Sequence, residues 1–93
     1  MAVVSSAEIA QEVERFIRAR FQVSPDDSTF GADSDLWDEG YLDSLGITEV
    51  IAFLECRFTV HIPTYILFDP AFVRINGMAR LTVELMSVPA EVA

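Results

Sequence analysis

Apolar residues in this chain fall into three stretches of helical spacing, separated by longer polar or turn-rich segments. Ile9, Val13, Phe16 and Ile17 recur at i, i+4, i+7 and i+8, which puts them on one stripe of a helix. Ser5 and Glu8 form a capping box just ahead of that stripe, so a first helix is predicted over about 6–21. A second helix is predicted to start at Asp43 or Ser44, both good capping types, and to run to Phe58. With Ser44 at the origin of a wheel of about 100° per residue, Ile47, Val50, Ile51, Leu54 and Phe58 share one arc. That arc is the predicted core face, with Val50, Leu54 and Ile47 at its heart. The opposite side carries Leu45, Glu49, Ala52 and Cys56, with Phe53 near its edge. A last helix is predicted over about 74–87, where Ile75, Met78, Leu81, Val83 and Leu85 give an imperfect apolar face. Gly77 weakens that helix by up to about 1 kcal/mol relative to alanine. Pro89 ends it, and 88–93 reads as a tail.

The segments between are equally informative. Pro25, a run of acids, Gly31 and Gly40 mark a loop from about 22 to 42. A loop longer than about 12–15 residues is usually functional or anchored by its own side chains. Phe30, Leu36, Trp37, Tyr41 and Leu42 are the expected anchors. Thr59-Val60-His61-Ile62-Pro63 breaks the second helix, and a single helical turn is expected at 63–68 before a further break at Asp69-Pro70. Strand signals are poor and no repeat is present. The fold expected is therefore all-α, a bundle of three long helices and one short, in a single domain of 93 residues with its core over about 6–87.

Charge sharpens this outline. Six arginines and no lysine stand against fifteen acids, for a net charge of −9. Such a balance argues against nucleic acid and anionic membranes, which call for basic patches. No apolar run reaches the roughly 18 residues of a membrane-spanning helix. The first residues lack a basic region followed by an apolar one, so no signal peptide is expected. One cysteine excludes an internal disulfide framework and fits a reducing, cytoplasmic setting. The acids are concentrated: nine lie between residues 26 and 55 with no basic residue among them. Two readings stay open, a solvated acidic loop and an acidic docking region for basic partners. The outward side of the second helix is open in the same way. Leu45 lies close enough to the helix start to fold inward, or else it forms the apolar centre of a docking face ringed by acids.

The chemistry of an autonomous enzyme is hard to assemble from this chain. There is one histidine, one cysteine and no lysine. Ser44 has no base close by in sequence and does not lie in a Gly-x-Ser-x-Gly elbow. Cys56 and His61 are five residues apart, off a common helical face, and too few for zinc. Asp33-x-Asp35 opens like a calcium loop, but Trp37, Asp38 and Ser44 then fill the fifth-ligand, turn-glycine and final-carboxylate positions. No glycine-rich phosphate loop is present. No metal site is expected, and His61 and Cys56 read as surface residues.

Asp35-Leu36-Trp37-Asp38-Glu39-Gly40-Tyr41-Leu42-Asp43-Ser44-Leu45 resembles the phosphopantetheine attachment motif of acyl and peptidyl carrier proteins. Its Gly40-Tyr41-Leu42-Asp43-Ser44 core looks like the Gly-x-(Leu/Ile)-Asp-Ser variant of stand-alone carriers, of D-alanyl and of specialised polyketide or methoxymalonyl type. Asp-Ser-Leu alone is a weak signal, but its placement is specific. It stands at a helix start after a long acidic loop, with Leu36 eight residues before the serine and Glu49 five after. Ile62-Pro63 and Phe72-x-x-Ile75-x-x-Met78-Ala79 resemble the family's later landmarks, so the likeness spans about residues 8–87.

The resemblance implies a four-helix bundle of the acyl-carrier type, acting as a monomer. It implies that Ser44 receives 4′-phosphopantetheine from coenzyme A through a separate phosphopantetheinyl transferase. The arm's thiol would then carry an acyl or aminoacyl group as a thioester, loaded by a ligase or transferase and delivered to downstream biosynthetic enzymes. Asp43 and Leu45 correspond to partner contacts and Glu49 to the docking helix; Ala52, Glu55 and Cys56 complete the expected docking face. Three features depart from the family pattern: Gly46 where a polar residue is frequent, Cys56 near a position often acidic, and an uncharged, aromatic 64–68 segment. They imply more hydrophobic partners than those of fatty-acid synthesis, and a role in specialised biosynthesis. The competing expectation is a non-carrier, acidic helical interaction domain whose Ser44 stays unmodified.

Overall fold

The computed structural model describes residues 4–86. Helix α1 spans Ser6–Arg20, α2 Ser44–Phe58 and α3 Ile75–Met86, with 3-10 segments at Thr64–Phe68 and Pro70–Val73 between the last two. No strand occurs among the described residues. None of the helices is long and apolar enough to cross a membrane. The tail expected at 88–93 lies outside the described residues.

Each helix begins and ends for a local reason. Ser5 Oγ accepts the Glu8 N–H while Glu8 Oε1 accepts the Ser5 N–H, both at 3.2 Å, which closes the capping box of α1. Arg18 and Arg20 in its last turn complement the negative end of the helix dipole. Phe21 caps α1 instead of extending it, through its N–H to the Ile17 carbonyl. Helix α2 closes on Thr59, whose φ of 52° is left-handed. Where Asp69-Pro70 was expected only to break the chain, it starts a second 3-10 segment. Asp69 Oδ1 accepts the Ala71 N–H at 2.9 Å, and proline fits the first position because no amide is needed there.

The core contains Ile9, Val13 and Ile17 of α1, Val50, Leu54 and Phe58 of α2, and Ile75, Met78, Ala79 and Leu81 of α3. Phe30, Leu36, Leu42, Ile62, Ile66 and Phe72 enter it from the connecting segments. Ile47, Ile51, Val83 and Leu85 are half-buried at its edge. Trp37 corrects the sequence expectation: it is 48% exposed, and its neighbour Leu36 takes the buried place. Gly77 also gains a reason. A Cβ there would stand 1.8 Å from the Ala71 carbonyl oxygen, so only glycine lets the second 3-10 segment pack directly on α3.

Helices α1 and α2 run antiparallel along a three-rung contact. Arg20 Nε meets Glu49 Oε1 at 2.6 Å, the Phe16 and Phe53 rings stack with centroids 4.4 Å apart, and Arg57 Nε meets Glu12 Oε1 at 2.6 Å. Each helix advances four residues per rung, so one face of each carries the whole contact. The wheel had placed Glu49 on the outward side; α1 covers that flank instead.

Candidate functional site

The loop before α2 is built to deliver Asp43 and Ser44 to the helix start. Asp35 Oδ1 accepts the N–H groups of Trp37 and Asp38 at 3.1 and 2.9 Å. Gly40 takes a left-handed φ of 83°, which a residue with Cβ rarely adopts. The chain then folds back, and the Leu36 carbonyl accepts from both Tyr41 and Leu42, at 2.9 and 3.0 Å. Leu36 and Leu42 thus enter the core together, while Asp43 is left at the surface. Farther back, the Tyr41 hydroxyl donates to Asp27 Oδ2 at 2.7 Å and lies 2.6 Å from Thr29 Oγ1. Tyr41, then Thr29, hold the Asp27 carboxyl below its ordinary value. The Thr29 contact lowers the Tyr41 phenol, but the Asp27 hydrogen bond, burial and the Asp27 and Glu39 charges outweigh it and leave the phenol raised. The middle of the loop is pinned to the end of the second 3-10 segment by Leu36 N–H to the Val73 carbonyl, and to the start of α3 by Asn76 N–H to the Ala32 carbonyl.

At the helix start, Asp43 has extended backbone and its Oδ1 accepts the Gly46 N–H at 2.8 Å. Of the two capping candidates, Asp43 is therefore the cap and Ser44 the first helical residue. Ser44 is exposed, and its hydroxyl has no hydrogen-bond partner among the described residues. The N–H groups of Ser44 and Leu45 fall in the first turn, where no intrahelical acceptor exists. Leu45 is 68% exposed, so it does not fold inward.

The remaining docking candidates divide. Ala52 and Cys56 are exposed beside Leu45 on the outer face of α2. Glu49 is drawn to the α1 flank by Arg20, with about a quarter of its side chain accessible (26%). Glu55 Oε2 accepts the Ile62 N–H at 2.8 Å and lies 3.5 Å from His61 Nδ1, so it also fastens the chain beyond α2. The exposed part of α2 is thus more apolar than the sequence alone suggests. Tyr65 and Phe68 on the first 3-10 segment are exposed as well, at 69% and 82%. Sequence reasoning missed Arg20, Phe21 and Arg57. The same four-residue spacing in both helices, Glu12-Phe16-Arg20 and Glu49-Phe53-Arg57, was the available signal, because antiparallel packing sets each acid against the other helix's arginine.

The groups around Ser44 fit a phosphodiester. An unengaged hydroxyl stands at the first position of a 15-residue helix, in the turn whose amide groups lack helical partners and at the positive end of the dipole. That field favours an attached phosphate by about 0.3–1 kcal/mol. No protein-family model matches this chain, and no curated protein matches it.

Proposed function

We propose that this chain is a stand-alone carrier protein, a covalent shuttle on which Ser44 bears 4′-phosphopantetheine, and that its helices form the four-helix bundle of that family with the 3-10 segments in place of the short helix. The observation that carries the reading is the state of Ser44: an exposed, unpartnered hydroxyl at a capped helix start, next to an exposed leucine. A serine so placed is suited to chemistry supplied by another enzyme. In the transfer, Ser44 Oγ forms a bond to the phosphorus that carries the pantetheine arm of coenzyme A. The pyrophosphate bond breaks, adenosine 3′,5′-bisphosphate leaves, and the transferase takes the hydroxyl proton.

This chain's own groups fix the helix start that bears the hydroxyl, through the Asp43 cap, and present Leu45 to the incoming enzyme. When bound, the arm supplies the thiol that forms a thioester with an acyl or aminoacyl group. The partners proposed are the transferase, a loading enzyme for that group and the biosynthetic enzymes that receive it. The test is intact mass after incubation with coenzyme A and a broad-specificity phosphopantetheinyl transferase. A gain of one phosphopantetheinyl group, abolished by Ser44→Ala in a protein of unchanged helicity, supports the reading. No gain in the wild type overturns it in favour of an unmodified interaction domain.

A further inference from the structure

Gly46 sits immediately after Asp43-Ser44-Leu45 and is buried, although those three residues before it at the helix start are exposed. A Cβ at this position would stand 3.2 Å from Phe21 Cε1, 3.2 Å from Leu42 Cδ2 and 3.3 Å from Asp43 Oδ1. Carbon atoms prefer separations of about 3.5–4.0 Å, so each of these neighbours would have to give way. All three are held by other contacts. Phe21 caps α1, meets Phe16 edge-on at 6.4 Å and lies beneath the Arg20 guanidinium at 5.6 Å. Leu42 is buried and bonded to the Leu36 carbonyl. Asp43 Oδ1 is the atom that accepts the Gly46 N–H. The missing side chain therefore keeps clear the very carboxylate that caps the helix, and lets the end of α1 seat against the start of α2.

We propose that Gly46 and Phe21 form a positioning pair for the modification of Ser44. The inference rests on the carrier reading. The ring of Phe21 packs against bare backbone at Gly46, the Asp43 cap closes over it, and the backbone bearing the Ser44 hydroxyl is fixed between them. A methyl group at position 46 displaces either the ring or the cap. Ser44 then samples orientations that the transferase must sort before the oxygen can attack. A reacting group misplaced by about 1 Å can lose up to about 100-fold in rate, and a few tenths of an ångström correspondingly less.

The experiment measures transfer kinetics from coenzyme A on Gly46→Ala, Phe21→Leu and the double variant. Gly46→Ala is expected to lower kcat about tenfold with a smaller change in KM. Phe21→Leu removes the crowding ring edge, so the double variant should recover most of the loss, which a purely destabilising change would not do. Phe21→Trp approaches the same contact from α1 and should slow transfer in the same way, which keeps the test available if Gly46→Ala does not fold. Transfer to folded Gly46→Ala or Phe21→Trp at the wild-type rate overturns the inference, as does a Gly46→Ala defect that Phe21→Leu leaves untouched. Either result leaves the carrier reading intact as long as the wild type gains the arm. A wild type that gains nothing fails the carrier reading itself and the inference with it.

Discussion

Phe16 of α1 and Phe53 of α2 stack with their rings 14° from parallel and their centroids 4.4 Å apart, between two ion pairs of opposite order. The stack sets the register of the two helices, because a slip of one residue on either would part all three rungs. Phe53 also meets Phe58 edge-on at 6.4 Å, which ties the stack to the core. Both rings are half-buried, so Phe16→Ala and Phe53→Ala should each cost about 1–3 kcal/mol, below the range for fully buried aromatics. Their coupling in a double-mutant cycle should reach about 0.5–1.5 kcal/mol by denaturant unfolding. Strict additivity would show that the rings fill space independently and do not set the register.

Much of this arrangement was legible in the sequence. The capping box of α1, the limits of α2 and the core places of Val50 and Leu54 follow from spacing and cap chemistry, which act locally. What escaped was decided by partners distant in sequence. Glu49 turns toward α1 because Arg20 is there, and Leu36 takes the interior while Trp37 stays half-exposed, because the backbone of Leu36 is bonded to Val73, Tyr41 and Leu42. Leu45 could not be settled from the wheel, since a residue one step into a helix can point either way; the Asp43 cap decides it. The acids of the docking expectation were legible as charge; their arginines emerge only when the matching Glu-Phe-Arg spacings of the two helices are set against each other.

Leu45 and Glu49 should therefore behave differently in partner binding. Leu45→Ala removes exposed surface, so stability should stay within about 0.5 kcal/mol of wild type while, on the carrier reading, dissociation from the proposed transferase quickens. Glu49→Gln gives up a partly exposed ion pair worth at most about 1 kcal/mol. The informative variant is Arg20→Gln, which frees the Glu49 charge. If Glu49 steers basic partners, association of Arg20→Gln should be faster than wild type at low salt, and the gain should vanish as salt is raised. An unchanged association rate would remove Glu49 from the docking field and leave recognition to Leu45, Ala52 and Cys56.

The Tyr41–Asp27 contact gives the loop a pH dependence at both extremes. The Asp27 carboxyl is lowered from its usual 3.8, so its contribution is present above that value and fades as pH falls through the lower folded-state value. The Tyr41 phenol is raised from 10.0, so its contribution is complete below 10.0 and fades as pH rises through the higher folded-state value. Tyr41→Phe removes the phenol's titration and the largest of the contacts that lower Asp27, leaving those of Thr29 and the Phe30 backbone. A carbon-detected titration of the Asp27 side chain should show its midpoint moving up toward 3.8 in that variant. A midpoint equal to wild type would mean that Thr29 alone holds the carboxylate.

Gly77→Ala separates helix propensity from packing. Within a helix, propensity alone favours alanine over glycine by up to about 1 kcal/mol, so a reading of α3 from sequence would expect stabilisation. The structure reverses the sign. The added Cβ would lie 1.8 Å from a backbone oxygen and 2.6 Å from the carbonyl carbon of Ala71, and backbone cannot swing aside as a side-chain tip can. The second 3-10 segment would have to lift off α3, carrying buried Phe72 with it. Overpacking of this kind costs about 1–3 kcal/mol or more, which outweighs the propensity gain. In a domain of this size each kcal/mol lowers the Tm by about 4–8 °C. Gly31→Ala is the matched control, since its nearest neighbour would be the Ser34 hydroxyl at an ordinary 3.7 Å. It should be neutral or stabilising by up to about 1 kcal/mol through the unfolded chain. A Gly77→Ala protein that melts at or above the wild-type temperature would show that the Ala71 carbonyl does not sit against α3 in solution.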